Sequence, residues 1–117
     1  MKRGDIWTAS GGKDYAGKPR PVVIVQDESF DATESITICA FTTDAVEAPL
    51  FRLPIMPDER NGLRAVCRLM VDKITTVPRT KLGVRVGRLD DGDIQRLNQA
   101  MVVFLGLAVS PRTRRKG

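Results

Sequence analysis

The chain has 117 residues, enough for one modest core and too few for two. An apolar share of 42% argues against wholesale disorder, and no apolar run approaches the roughly 20 residues that cross a bilayer. The net charge of +5 is concentrated at one end: Arg112, Arg114, Arg115 and Lys116 supply 4 of the 19 basic groups, leaving 15 bases against 14 acids, so the bulk charge does not by itself mark a nucleic-acid binder.

The N-terminus, "MKRGD", lacks the apolar core of a secretion signal, and a cytoplasmic protein is expected. "RGDIWTA" predicts a short strand around Ile6 and Trp7. Residues 10–19, "SGGKDYAGKP", read as an exposed glycine-rich loop. "RPVVIVQ" follows as a central strand buried on both faces, which Pro21 can only open because it lacks an N–H for the ladder. "ESITICAFTT" predicts the next strand, with Ile36, Ile38 and Ala40 alternating against Thr37, Cys39 and Phe41. "APLFRLPIM" suits a sheet edge because of Pro49 and Pro54, and "PDERNGL" is a turn. "RAVCRLMVDKITTV" supplies one long bent strand or two short ones, with Val66, Leu69, Val71, Ile74 and Val77 as core candidates. "PRTKLG" reads as a helical turn ended by Gly83, and "VRVGRL" as a last brief strand.

From Asp90 the period changes. Ile94, Leu97, Met101, Phe104 and Leu105 fall on one helical face, Asp90 is a natural N-cap, and Asp91 and Asp93 suit the positive end of the helix dipole. Six or seven strands followed by one helix predict a mainly β fold, a curled antiparallel sheet or small barrel with the helix packed on it. A single domain over residues 1–109 is expected, with 110–117 as a flexible basic tail that adds non-specific phosphate attraction.

The sequence contains no histidine, which excludes the usual serine or cysteine triads, a histidine pair for acid–base work and histidine-based metal sites. Cys39 and Cys67 stand apart at a spacing that suits neither a redox motif nor zinc, so they read as buried and inert. Any catalysis must come from arginine, lysine, carboxylates and hydroxyls. No cofactor and no catalytic metal are expected.

"RGDIW", "KPRPVVIVQ" after a glycine-rich loop, "ICAFTT", "VDKITTVPRTKLG" and "LDDGDIQRLNQAMVVFLGL" occur in that order. Each is weak alone, but five in sequence resemble the MazF/PemK/Kid family of toxins from type II toxin–antitoxin pairs, from about Lys2 to Leu107. The resemblance implies an SH3-like small barrel of the MazF/Kid/CcdB type, forming a homodimer. It also implies metal-independent, sequence-selective cleavage of single-stranded messenger RNA, by 2′-hydroxyl attack giving a 2′,3′-cyclic phosphate and a 5′-hydroxyl. The partner it implies is a small antitoxin whose disordered C-terminal segment covers the RNA surface, with operator DNA reached only through that complex.

Carried over to this sequence, the resemblance makes Arg20 and Thr42 the catalytic pair. A guanidinium held between Pro19 and Pro21 is suited to stabilising charge that builds on a phosphate. Thr43 is the neighbour that a one-residue slip would exchange for Thr42. Asp72 matches a carboxylate that serves as general base or contacts RNA; the bland reading is an ion pair with Lys73 or Arg68. Relatives with an arginine two residues before that carboxylate would have it at Met70, and strand alternation over 68, 70 and 72 offers Arg68 instead. Lys13, Tyr15 and Lys18 are loop candidates for tracking the RNA backbone or stacking a base. Two other readings stay open: a non-enzymatic nucleic-acid-binding module, and a CcdB-like toxin acting on gyrase. The second is weakened because that activity depends on a Trp-Gly-Ile end, whereas this chain ends in "RRKG".

Overall fold

A computed structural model describes residues 1–10, 18–45, 48 and 50–108. Lys13, Tyr15, most of the glycine-rich loop and the basic tail lie outside the described residues. Seven strands are present among the described residues: β1 (Asp5–Ala9), β2 (Arg20–Ile24), β3 (Ser35–Thr42), β4 (Arg52–Ile55), β5 (Cys67–Met70), β6 (Thr75–Pro78) and β7 (Leu82–Arg88). One helix, α1 (Asp91–Phe104), follows them. The sheet runs β4-β5-β3-β2-β1-β7 and is antiparallel throughout, with β6 paired to β3 off that path.

β2 is central as expected, and Val22, Val23 and Ile24 are fully buried. β4 is an edge, which accommodates Pro54 without a broken ladder. β3 is long enough to serve two neighbours along one flank: Ser35–Ile38 pair with β6, and Phe41–Thr42 with β5. The segment between those neighbours breaks into a 3-10 turn at Val71–Lys73, so the stretch expected as one bent strand or two is two. The "PRTKLG" turn spans Arg79–Lys81 and passes directly into β7, leaving Gly83 inside a strand rather than ending the turn.

Alternation along these strands makes two cores, one on each face. Ile6, Val23, Cys39, Leu53, Leu69, Val71 and Leu89 pack with Leu97 and Ala100 of α1. On the other face Ala9, Val22, Ile24, Ile36, Ile38 and Ala40 pack together, with Trp7, Met70, Val77 and Leu82 against them. The curl that encloses this second cluster gives the small-barrel character, although no ladder joins β6 to β7 among the described residues. Leu69 and Val71 are core residues as expected, whereas Val66 is 41% exposed.

α1 begins as predicted. The Asp90 carboxylate accepts from the Asp93 N–H at 2.7 Å, and Asp91 and Asp93 sit in the first turn. Its far end differs from the periodic reading. Phe104 and Leu105 are about half exposed rather than buried, and Val103 and Leu107 are exposed with them.

Candidate active site

Arg20, Thr42 and Arg68 come from three neighbouring strands and one row. β2 and β3 pair Val22 with Ala40, Val23 with Cys39 and Ile24 with Ile38. The ladder ends at Val22 and Ala40; carried two residues further, the same register would set Arg20 opposite Thr42, and Thr42 is the direct partner of Arg68 on β5. Residues opposite one another across strands share a face, so all three side chains belong to the face that carries Val22 and Ala40. On that register, ideal strand spacing would set the two arginine Cα atoms about 10 Å apart with Thr42 between them. Arg20 is exposed at the mouth of the buried strand, and Arg68 is half-buried.

Thr42 ends β3 in a local turn. The Asp44 N–H donates to Thr42 Oγ1 at 3.1 Å, and Arg68 Nη1 donates to the Asp44 carbonyl at 3.4 Å. The Thr42 hydroxyl therefore acts as an acceptor toward its own chain, and its single proton remains to be donated to a third group. Thr43 lies just beyond the strand and is exposed. The register distinguishes the two threonines, because only Thr42 occupies the row.

Asp72 is tied to a residue that the sequence reading did not single out. Arg52 on β4 donates through Nε to Asp72 Oδ1 at 2.7 Å and through Nη2 to Oδ2 at 3.0 Å. The partner is thus neither Lys73 nor Arg68. The alternation expected over 68, 70 and 72 stops at Met70, where the 3-10 turn begins. Arg52 is the direct cross-strand partner of Met70, so a guanidinium enters this neighbourhood from the adjacent strand. Its hydrogen bonds hold the Asp72 carboxyl below the usual carboxylate range, against a smaller opposing effect of burial. The same bonds raise the Arg52 guanidinium, with Asp44 adding a further attraction. Period-two alternation in "RLPI" puts Arg52 and Pro54 opposite buried Leu53 and Ile55, a signal that could have found Arg52 on this face.

Lys18 is exposed two residues before Arg20. Cys39 and Cys67 are free and buried. Burial, helped by the charge on Asp72, pushes the Cys39 thiol up to about 12, and burial also raises Cys67, so neither offers a thiolate at neutral pH. No group of three or more Asp, Glu, Cys or His side chains that could hold a metal ion occurs among the described residues. Nor is any helix among them long and apolar enough to cross a membrane. Chemically, the row offers two fixed positive charges flanking a hydroxyl donor, an arrangement that can stabilise a phosphate acquiring charge.

The sequence profile described as PemK-like, MazF-like toxin of type II toxin–antitoxin system matches residues 2–105. A protein of Mycolicibacterium smegmatis named a probable endoribonuclease MazF is 54% identical over 108 residues, covering 92% of this chain and 99% of the relative. Among solved structures, Mycobacterium tuberculosis toxin MazF-mt6 superposes with a TM-score of 0.75 at 25% identity, over 90% of this chain and 99% of that one. A mycobacterial endoribonuclease in complex with its cognate antitoxin gives 0.77 at 21% identity, over 94% and 99% of the two chains. A Deinococcus radiodurans MazE-MazF structure gives 0.74 at 16%, over 91% and 96%.

Proposed function

Since the chain belongs to the PemK-like, MazF-like family of type II toxin–antitoxin toxins, we propose that it is a sequence-selective endoribonuclease. Its substrate is single-stranded messenger RNA, and cutting it inhibits translation and growth. The observation that carries this reading is the Arg20–Thr42–Arg68 row.

In the reaction the 2′-oxygen gives up its proton to solvent and attacks the adjacent phosphorus, and the bond to the 5′-oxygen breaks as that oxygen takes a proton from solvent, leaving a 2′,3′-cyclic phosphate and a 5′-hydroxyl. Negative charge grows on the non-bridging oxygens. Arg20 meets them with a planar two-pronged donor, which the flanking prolines hold with little conformational freedom to lose. Thr42 donates its remaining proton to the same oxygens, and Arg68 supplies the second positive charge from the far side. Asp72 is a weak base while Arg52 holds it, because its affinity for a proton is lowered. Its part is to orient the cationic cluster or contact RNA rather than to carry the nucleophile's proton. The nucleophile lies within the substrate, so the reaction needs no metal ion. Lys18, with Lys13 and Tyr15 of the preceding loop, tracks the RNA backbone.

The wider assembly follows the same reading. The mycobacterial relative in complex with its cognate antitoxin supports an antitoxin partner here, one whose disordered C-terminal segment covers the cationic row. Operator DNA is reached only through that complex, and the protein works in the cytoplasm. Exposed Val103, Phe104, Leu105 and Leu107 at the end of α1 support a homodimer, with the RNA groove spanning two subunits. The decisive experiment incubates the protein with a long single-stranded RNA in EDTA and labels fragment ends with polynucleotide kinase, before and after phosphatase treatment. Fragments that accept label directly at a 5′-hydroxyl are expected. RNA bound but left intact, or 5′-phosphate products, would overturn the reading.

A further inference from the structure

β7 does not pair regularly with β1. Asp5 faces Arg88 and Ile6 faces Gly87, but Trp7 faces Arg85 and Ala9 faces Leu82, with irregularities on both sides of Trp7. Strict alternation from Arg88 would send Arg85 to the opposite face. The irregularity beside Trp7 turns it back, so that Arg85 and Arg88 both reach Asp5 Oδ1, at 3.5 and 3.2 Å. Val86 meanwhile packs with the helix-side core. Re-aiming a side chain is the usual consequence of a bulge near a functional surface.

The result is a cavity of about 510 Å³ lined by Met1, Lys2, Asp5, Trp7, Arg85 and Arg88. Two guanidiniums converge there on one carboxylate, and Lys2 lines the same cavity. That carboxylate is already satisfied: burial works against its charge, but the Lys2 N–H and the two guanidiniums outweigh burial and hold it below the usual range. Two guanidiniums against one carboxylate leave one positive charge over, and the Lys2 residue in the lining supplies another. Trp7 contributes its ring to the wall, while its Nε1 is shut off from solvent and has no hydrogen-bond partner among the described residues. Across Arg85 and Arg88 lies a smaller cavity of about 350 Å³, bounded by Arg60 but also by Asp90 and Asp91, so the anion-accepting end is the one at Lys2 and Trp7.

We propose that this pocket binds one nucleotide of a single-stranded RNA outside the cleavage row, its phosphate on Arg85 and Lys2 and its base against Trp7. The combination of an aromatic wall and surplus cations fits a nucleotide, whose base can stack while its phosphate is held, whereas an acidic peptide would leave the indole ring unstacked. The assignment rests on the endoribonuclease reading for its ligand and on the pocket alone for its chemistry.

Trp7 is the only tryptophan in the chain, so its fluorescence reports this pocket directly. The wild type is titrated with uridine 5′-monophosphate, inorganic phosphate, hexaglutamate and a 2′-O-methyl hexauridylate that lacks the nucleophile. Saturable quenching by the monophosphate is expected, at least tenfold tighter for the oligomer and at least tenfold weaker in Arg85→Glu. Circular dichroism and the emission maximum verify that variant's fold; should it fail, exposed Lys2→Glu replaces it, with the same weakening expected. Flat titrations, an unchanged Kd in the folded variant, phosphate or hexaglutamate matching the monophosphate, or an oligomer no tighter than the monomer would each overturn strand binding here. A chain that cuts RNA yet gives flat titrations loses only this pocket. One that is quenched as expected yet never cuts loses only the nuclease reading.

Discussion

Replacing Arg20 by alanine isolates the role of the row. Arg20 is exposed at the mouth of β2, so its loss leaves both cores intact. The stability change should stay within about 0.5 kcal/mol, a melting shift of roughly 2–3 °C. The effect on catalysis is of another order. Removing one preorganised donor from a developing oxyanion costs about 10²–10³ in rate, and a guanidinium presents two. Arg68, in the same row, keeps part of the stabilisation, so kcat should fall by about 10³, or about 4 kcal/mol. Arg20→Lys keeps the charge but loses the planar fork, and should recover no more than about tenfold of that loss. Single-turnover cleavage of a fluorescent RNA, run beside a thermal melt, measures both quantities. An Arg20→Ala variant that folds normally and retains a tenth of the wild-type rate would refute the assignment.

Thr42→Val should lower kcat about 10²-fold, while Thr43→Val changes it by less than about threefold; equal losses on the same RNA would mean that the register argument had chosen wrongly. Asp72→Asn should cost about 1–2 kcal/mol at pH 7, measured by urea unfolding. Because Arg52 lowers the folded-state pKa of Asp72, that contribution is complete above the ordinary carboxylate range and disappears as pH falls through the lowered value. The gap between wild type and variant should therefore close in acid, and a gap that widened there would contradict the pairing. Val103→Asp should reduce both mass by light scattering and RNA cleavage, and an active wild type that is monomeric at micromolar concentration would remove the dimer from the reading.

The elements that could be read from the sequence are those whose signal is local. Asp90 caps α1 because its carboxylate reaches an amide three residues on, a relation visible in one dimension. The buried run of β2 and the prolines of β4 likewise announce themselves within a few residues. Arg52 did not, because its partner Asp72 is 20 residues away and is set by the pairing of β4 with β5. Arg85 was less visible still. Simple alternation assigns it to the wrong face, and only the irregular pairing on either side of Trp7 corrects that. Phe104 and Leu105, set by helical phase on the buried face, are half exposed instead, since phase alone says nothing about what a neighbouring element covers.

The row of Arg20, Thr42 and Arg68 draws its members from strands far apart along the chain, and β3 must have β2 on one flank and β5 on the other before they align. The opposite face of those strands is covered only when Leu97 and Ala100 of the last helix arrive. An elongating polypeptide therefore has no assembled row until Ala100 has been added, which at about 5–20 residues per second takes on the order of 5–20 seconds for 100 residues. A nuclease with its site near its own N-terminus would emerge beside its own message already able to cut it. Here the strands of the row and the helix that covers their other face must all be made before the nascent chain can become dangerous.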